Sequence, residues 1–328
     1  MTGSETSPEP SPVPSPNELH QARERLSGRV RRTPVIELGD ELATQLGTGG
    51  ADGSSGAGWS LVLKLEMTQY SGSFKARGAL NSLLARPVPE AGVVAASGGN
   101  HGAAVAWAAS TCGVPATIFV PSTSPASKLE RIRGYGAELH VVEGHYAEAL
   151  TASIEHAGRT GARLVHAYDD PDVVAGQATI GAELLEQVPD VDTVLLACGG
   201  GGLFAGVALA CAGRAVVVPV EPATCPTLQQ AVAAGRPVPV DVGGLAADSL
   251  GARQAGAIAT AVALANRTEP RLVGDADIAA ARSWLWEHVR VPAEPGGATG
   301  LAGLLARVYE PREHEKVVVV VSGANWAP

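Results

Sequence analysis

Lys75 stands alone among small residues in Ser71-Gly72-Ser73-Phe74-Lys75-Ala76-Arg77-Gly78-Ala79, where the apolar segment Trp59 to Leu65 gives way to a helical pattern. An amine in that place can form an imine with a carbonyl compound. A helix N-terminus and partial desolvation both disfavour the ammonium form, which makes the neutral nucleophile more accessible. The same pattern also describes a surface lysine opening an ordinary helix, so this segment decides nothing alone.

Two glycine-rich turns narrow the choice, each set between an apolar run and a helical pattern. The first, Ser97-Gly98-Gly99-Asn100-His101-Gly102, comes after Gly92 to Ala96; the second, Gly199-Gly200-Gly201-Gly202, comes after Thr193 to Cys198. Four successive residues without Cβ allow backbone N–H groups to converge on one anion, and the next helix adds its positive end, so the tetraglycine reads as a phosphate cradle. The first turn keeps polar side chains, which suits a carboxylate or ring hydroxyl that must be oriented as well as neutralised. Tight strand-to-helix packing would account for either turn taken singly.

With Val220-Glu221-Pro222, Glu294-Pro295-Gly296-Gly297-Ala298 and Val321-Ser322-Gly323-Ala324-Asn325, these segments come in an order that resembles the pyridoxal-phosphate-dependent threonine/serine dehydratases of fold type II, over about residues 20–328. His101 after Asn100, and the intact Ser-Phe-Lys-x-Arg-Gly, favour dehydratase over the related cysteine synthases. The resemblance implies that Lys75 holds pyridoxal 5'-phosphate as an imine and acts as the base at Cα, and that Gly199, Gly200, Gly201 and Gly202 bind the phosphate. It also implies that Asn100 bonds the ring hydroxyl and that Ser322, a neutral partner, faces the pyridine nitrogen. Phe74 either packs beside the ring or is plain core. Ser97, Gly98, Asn100 and His101 resemble the loop that takes the substrate carboxylate, and the segment Gly244 to Ser249 walls the cofactor, with Asp248 either part of that wall or a helix N-cap. The implied reaction converts L-threonine or L-serine to 2-oxobutyrate or pyruvate and ammonia. Serine racemase is the alternative. Racemases of this family carry a serine where this chain has Gly98, so little D-enantiomer is expected, and Gly98→Ser should raise it.

Composition agrees with an enzyme. The chain has 328 residues, 45% apolar and 17% charged, and a net charge of -9 that argues against nucleic-acid or anionic-membrane surfaces. No stretch approaches a membrane span, and residues 1–17, rich in Ser, Pro and Glu, read as a disordered tail and not a signal peptide. Cys112, Cys198, Cys211 and Cys225 lack paired or zinc-site spacing, which fits reduced thiols in a cytoplasmic protein. His140 and His145 read as ordinary strand and loop residues. A homodimer is implied by the resemblance only.

Strands are expected at 61–65, 92–96, 116–120, 138–143, 163–168, 193–198, 215–220 and 316–321, with helices between, such as Ala126 to Tyr135 and Val173 to Val188. This alternation gives an α/β protein with mostly parallel sheets covered by helices. The resemblance suggests two domains, a smaller one at 88–166 set into a larger one of 18–87 and 167–328. Gly47 to Gly58 reads as a flexible loop.

A rival reading rests on Gly200-Gly201-Gly202-Leu203-Phe204-Ala205, which fits the dinucleotide fingerprint G-x-G-x-x-G/A, with Glu221 about where a ribose-binding acid belongs. That NAD-dependent oxidoreductase would leave Lys75, the Asn100 turn and Ser322 without work. Some relatives bind a divalent cation at positions that here are Glu221, Cys225 and Thr227; a threonine hydroxyl is a weak ligand, so no tight metal site is expected, although Glu221 and water would suffice for a loose one. The chain is also expected to lack the regulatory domain of biosynthetic threonine dehydratases.

Overall fold

The computed structural model describes residues 12–39 and 58–325. Among them, strands form two sheets. The larger has the order β1 (Val35–Leu38), β2 (Ser60–Leu65), β10 (Lys316–Val321), β7 (Thr193–Ala197), β8 (Val216–Pro222) and β9 (Arg271–Val273), with β1 antiparallel and the rest parallel. The smaller is parallel throughout, in the order β5 (Glu138–Val142), β4 (Ala116–Pro121), β3 (Val93–Ala96) and β6 (Arg163–Leu164).

The valine run of β10 explains why it lies inside the larger sheet. Side chains alternate between faces, so a strand with apolar residues at every position needs cover on both sides. Val317, Val319 and Val321 face a core with the helices Asp275–Val289 and Pro295–Leu305; Val318 and Val320 face another with Pro171–Gln187, Gly202–Ala210 and Ala257–Ala265. The helix Lys75–Ala85 lies between the sheets. Its Ala76, Ala79, Leu80 and Leu83 pack with the helix Asn100–Cys112 and with Val93, Ala95, Ile118 and Val120 of the smaller sheet.

The expected strands form, with three differences. β1 and β9 are additional: each is a short edge strand, too brief to show a period. The strand expected at 163–168 pairs only at Arg163 and Leu164, and beyond Val165 the chain turns towards Lys75. The helix Pro16–Leu26 begins inside the segment expected to be a tail. Ser15 Oγ accepts from Glu18 N, and Ser15 N donates to the Glu18 carboxylate at 2.7 Å, a capping box written in Ser-x-x-Glu. Residues 1–11 of that tail, and 47–57 of the glycine-rich loop, fall outside the described residues. No described helix is long and apolar enough to cross a membrane.

Candidate active site

Parallel sheets place ligand-binding loops at the C-terminal ends of their strands. Because β2, β10 and β7 are neighbours in that order, the lysine turn, Ser322 and the tetraglycine emerge side by side. Backbone bonds fix the first two together: Phe74 N donates to Ser322 O at 3.0 Å, Ala324 N to Gly72 O at 3.1 Å, and Ser73 bridges Gly323. The turn carries strain, since Ser71 has φ 58° without being glycine. Gly72 has φ +76°, and a Cβ on it would come 2.2 Å from Asn325 Oδ1.

Lys75 opens its helix, and its Nζ donates to Ala167 O at 2.8 Å. A carbonyl is a neutral partner and does not offset burial, which pulls the amine from 10.5 down to about 8. The helix start is held from behind by buried charges. Arg77 meets Glu66 at 2.7 Å and Glu183 at 3.0 Å, while Lys64 donates to Glu183 at 2.5 Å and to Thr33 O at 2.9 Å. Burial opposes the charge on Arg77, but its two carboxylates outweigh it and raise its pKa. Sequence reasoning missed this network. Its one signal was Lys64, a charge interrupting the apolar run Leu61 to Leu65.

The tetraglycine joins β7 to the helix Gly202–Ala210, and packing forbids side chains on it. A Cβ would lie 2.8 Å from Leu250 O at Gly199, 2.4 Å from the Tyr168 ring at Gly200, 2.3 Å from Ala259 Cβ at Gly201 and 2.8 Å from Tyr168 O at Gly202. Gly201 also has φ +88°. Ser322 Oγ is buried and makes only a long contact, 3.5 Å to Gly296 O, leaving a hydroxyl for a ring nitrogen. A bare cradle at a helix N-terminus, a low-pKa amine and a near-unpaired hydroxyl on adjacent strands fit pyridoxal phosphate.

Asn100 begins the helix Asn100–Cys112, and its amide is partly engaged: Nδ2 donates to Glu294 Oε1 at 2.5 Å, and Oδ1 accepts from Asn325 Nδ2 at 2.7 Å. One amide hydrogen remains. Burial raises Glu294 to about 6. His101 is buried, and its Nε2 donates to Val165 O at 2.9 Å; burial first, then the Lys75 charge, depresses it to about 3. Its ring serves the fold, and what His101 offers the turn is its backbone N–H. Phe74 is half-buried against the core behind β7, with Lys75 Nζ 5.1 Å from its ring centre.

Three expectations change. Asp248 does not cap a helix; it lies within Ala247–Leu250, after the N-cap residue Ala246, and pairs with Lys128. Glu221 is fully buried, with both oxygens taken by Leu228 N at 2.7 Å and Gln229 N at 2.8 Å, so it caps the helix Thr227–Ala234 instead of reaching a ribose or a loosely held cation. Thr227 donates to it as well, at 2.9 Å. The face at Gly98 does not lack a hydroxyl, because a Cβ there would meet Ser124 Oγ at 2.0 Å. Among the described residues no cluster of His, Cys, Asp and Glu could hold a metal ion.

Residues 27–323 match the family described as pyridoxal-phosphate dependent enzyme. The chain belongs to this family. L-threonine ammonia-lyase of Geobacter sulfurreducens is 36% identical over 312 residues, covering 94% of this chain and 74% of that protein. Serine racemase of Oryza sativa subsp. indica is 33% identical over 323 residues, covering 94% and 89%. The solved structure of maize serine racemase superposes with a TM-score of 0.87 at 32% identity, over 96% of this chain and 95% of that one. Lys75, the tetraglycine and Ser322 all lie within the matched residues, and the dinucleotide reading falls with Glu221.

Proposed function

We propose that the protein is an ammonia-lyase that converts L-threonine, L-serine or both to 2-oxobutyrate or pyruvate with release of ammonia. One observation carries the reading: a lysine depressed to about 8 meets a side-chain-free anion cradle and a neutral serine on three adjacent strands. When bound, pyridoxal phosphate supplies an aldehyde for the substrate amine and a ring that delocalises the charge left at Cα. Lys75 Nζ would hold the cofactor and, as a buried amine with a lowered pKa, would serve as the base for the substrate's Cα proton. The N–H groups of Gly199 to Gly202 bind the phosphate. Ser322 would offer the ring nitrogen a neutral hydroxyl instead of a carboxylate, a partner under which the ring would withdraw electrons less strongly and loss of the β-hydroxyl would be favoured. The free hydrogen of Asn100 Nδ2 serves the ring hydroxyl, and Phe74 flanks the lysine. The substrate carboxylate lies at Ser97, Gly98 and the N–H groups of Asn100 and His101.

Racemisation of the same amino acids is the second reading, favoured by the hydroxyl of Ser124 at Gly98. We also propose a cytoplasmic homodimer and a division into an 88–166 domain, which carries the carboxylate loop, and a larger one of 18–87 and 167–328. The test is to isolate the protein with its visible-range absorbance and measure 2-oxo acid and chirality from each substrate. Ammonia release with little D-enantiomer, both absorbance and turnover lost in Lys75→Ala, is the expected result. D-serine formed as fast as pyruvate would replace lyase by racemase, and a coloured, active Lys75→Ala would overturn the site.

A further inference from the structure

Gly98 is not among the glycines with positive φ, so its backbone does not require glycine. What requires it is another segment. The turn Pro121 to Pro125, closed by Ser124 N donating to Pro121 O at 3.0 Å, delivers Ser124 Oγ to a point 2.0 Å from where a Cβ on Gly98 would sit; Ser124 Cβ would be 2.8 Å away. The neighbouring Gly99 has no such restriction, its nearest contact for a Cβ being 3.6 Å away. Ser124 Oγ makes no hydrogen bond to a described residue. Gly98 leads into the first turn of Asn100–Cys112, whose first helical bond from this turn is Ala103 N to Gly99 O at 3.2 Å, so the N–H groups of Asn100, His101 and Gly102 precede the ladder. Ser97 Oγ already accepts from Gly99 N at 3.1 Å and shapes the turn.

We propose that Ser124 is a substrate-binding residue of this site: its hydroxyl donates to the substrate's carboxylate, in the place of a side chain that the loop itself does not carry. The assignment rests on the lyase reading. An anion at a helix N-terminus binds most firmly when a hydroxyl adds to the backbone donors, and here the hydroxyl comes from the turn ahead of the helix Ala126–Gly134. Specificity for an α-carboxylate is thereby shared between two segments that meet only in the fold.

The test uses the cofactor-loaded enzyme and a swap of the hydroxyl between positions. Ser124→Ala should raise KM for L-threonine on the order of tenfold, with kcat within about twofold and the cofactor absorbance unchanged. Gly98→Ser alone should also raise KM, because its Cβ displaces Ser124 Oγ. The pair Gly98→Ser/Ser124→Gly restores one hydroxyl to the same place and should recover KM to within about threefold of the parent. An unchanged KM in Ser124→Ala, or a pair no better than the worse single variant, overturns the proposal. So does a Ser124→Ala enzyme with normal KM whose only change is less D-amino acid, since that would make Ser124 a proton donor. If the parent holds cofactor but releases no ammonia, the lyase reading falls, and Ser124 is still judged by the Kd of L-threonine from the absorbance change on binding.

Discussion

The amine of Lys75 donates to a peptide carbonyl and not to a carboxylate, and that choice of partner sets its chemistry. Burial without a countercharge lowers its pKa to about 8, so the free amine grows as pH rises through that value. Reconstitution of cofactor-free protein should reflect this: the rate of absorbance growth with added pyridoxal phosphate rises through about pH 8 and then levels, whereas a rise centred near 10.5 would mean an ordinary lysine. Glu221 gives a second expectation at this scale. Its oxygens are taken by Leu228 N and Gln229 N, so dialysis against chelator should leave turnover nearly intact; full loss reversed by magnesium would contradict that reading. Lys75, the tetraglycine and Ser322 were legible because each sits at the end of an apolar run, and its immediate chain neighbours carry the pattern. Ser124 was not, since its meaning comes from Gly98, which only the fold brings to it.

Elements carry these residues, and the helix Lys75–Ala85 depends on the charges behind it. Arg77 satisfies Glu66 and Glu183, which are buried or nearly so, at 2.7 and 3.0 Å. Arg77→Met would leave both carboxylates without their main partner, at a cost of about 3–5 kcal/mol by the usual penalty for an uncompensated buried charge. Urea unfolding should show that loss together with weaker cofactor retention, and a variant as stable as the parent would remove the network from the account. The network escaped sequence reading because Lys64 hints at a buried partner without naming it, and Glu183, more than 100 residues on, looks ordinary by itself. β1 and β9 escaped for a different reason: with Val35–Leu38 and Arg271–Val273 at the sheet margins, pairing and not periodicity defines them. Long apolar runs such as β10 left no such doubt.

At the scale of the molecule, two contacts tie the helix Ala126–Gly134 to the larger sheet: Lys128 with Asp248, and Arg131 with Asn325. They differ in weight. Asp248 is mostly exposed while Lys128 is mostly buried, so water screens the carboxylate end of the pair and Asp248→Ala should change KM by less than about fivefold. Asn325 is buried and joins Ser71 O at 2.7 Å, Asn100 and Arg131, so Asn325→Ala should cost far more in KM and in cofactor affinity; equal effects of the two variants would contradict this ranking. The placement of β10 has one more consequence, concerning time. Its partner β2 ends at Leu65, yet Lys316–Val321 must slot between β2 and β7 before Ser322 can meet Phe74. At roughly 5–20 residues per second, the ribosome needs on the order of tens of seconds to make the stretch between them. From the synthesis of β7 onwards within that interval the growing polypeptide exposes the open flanks of two apolar strands and has no completed place for its vitamin-derived partner, so nascent chains are expected to rely on chaperones until β10 emerges.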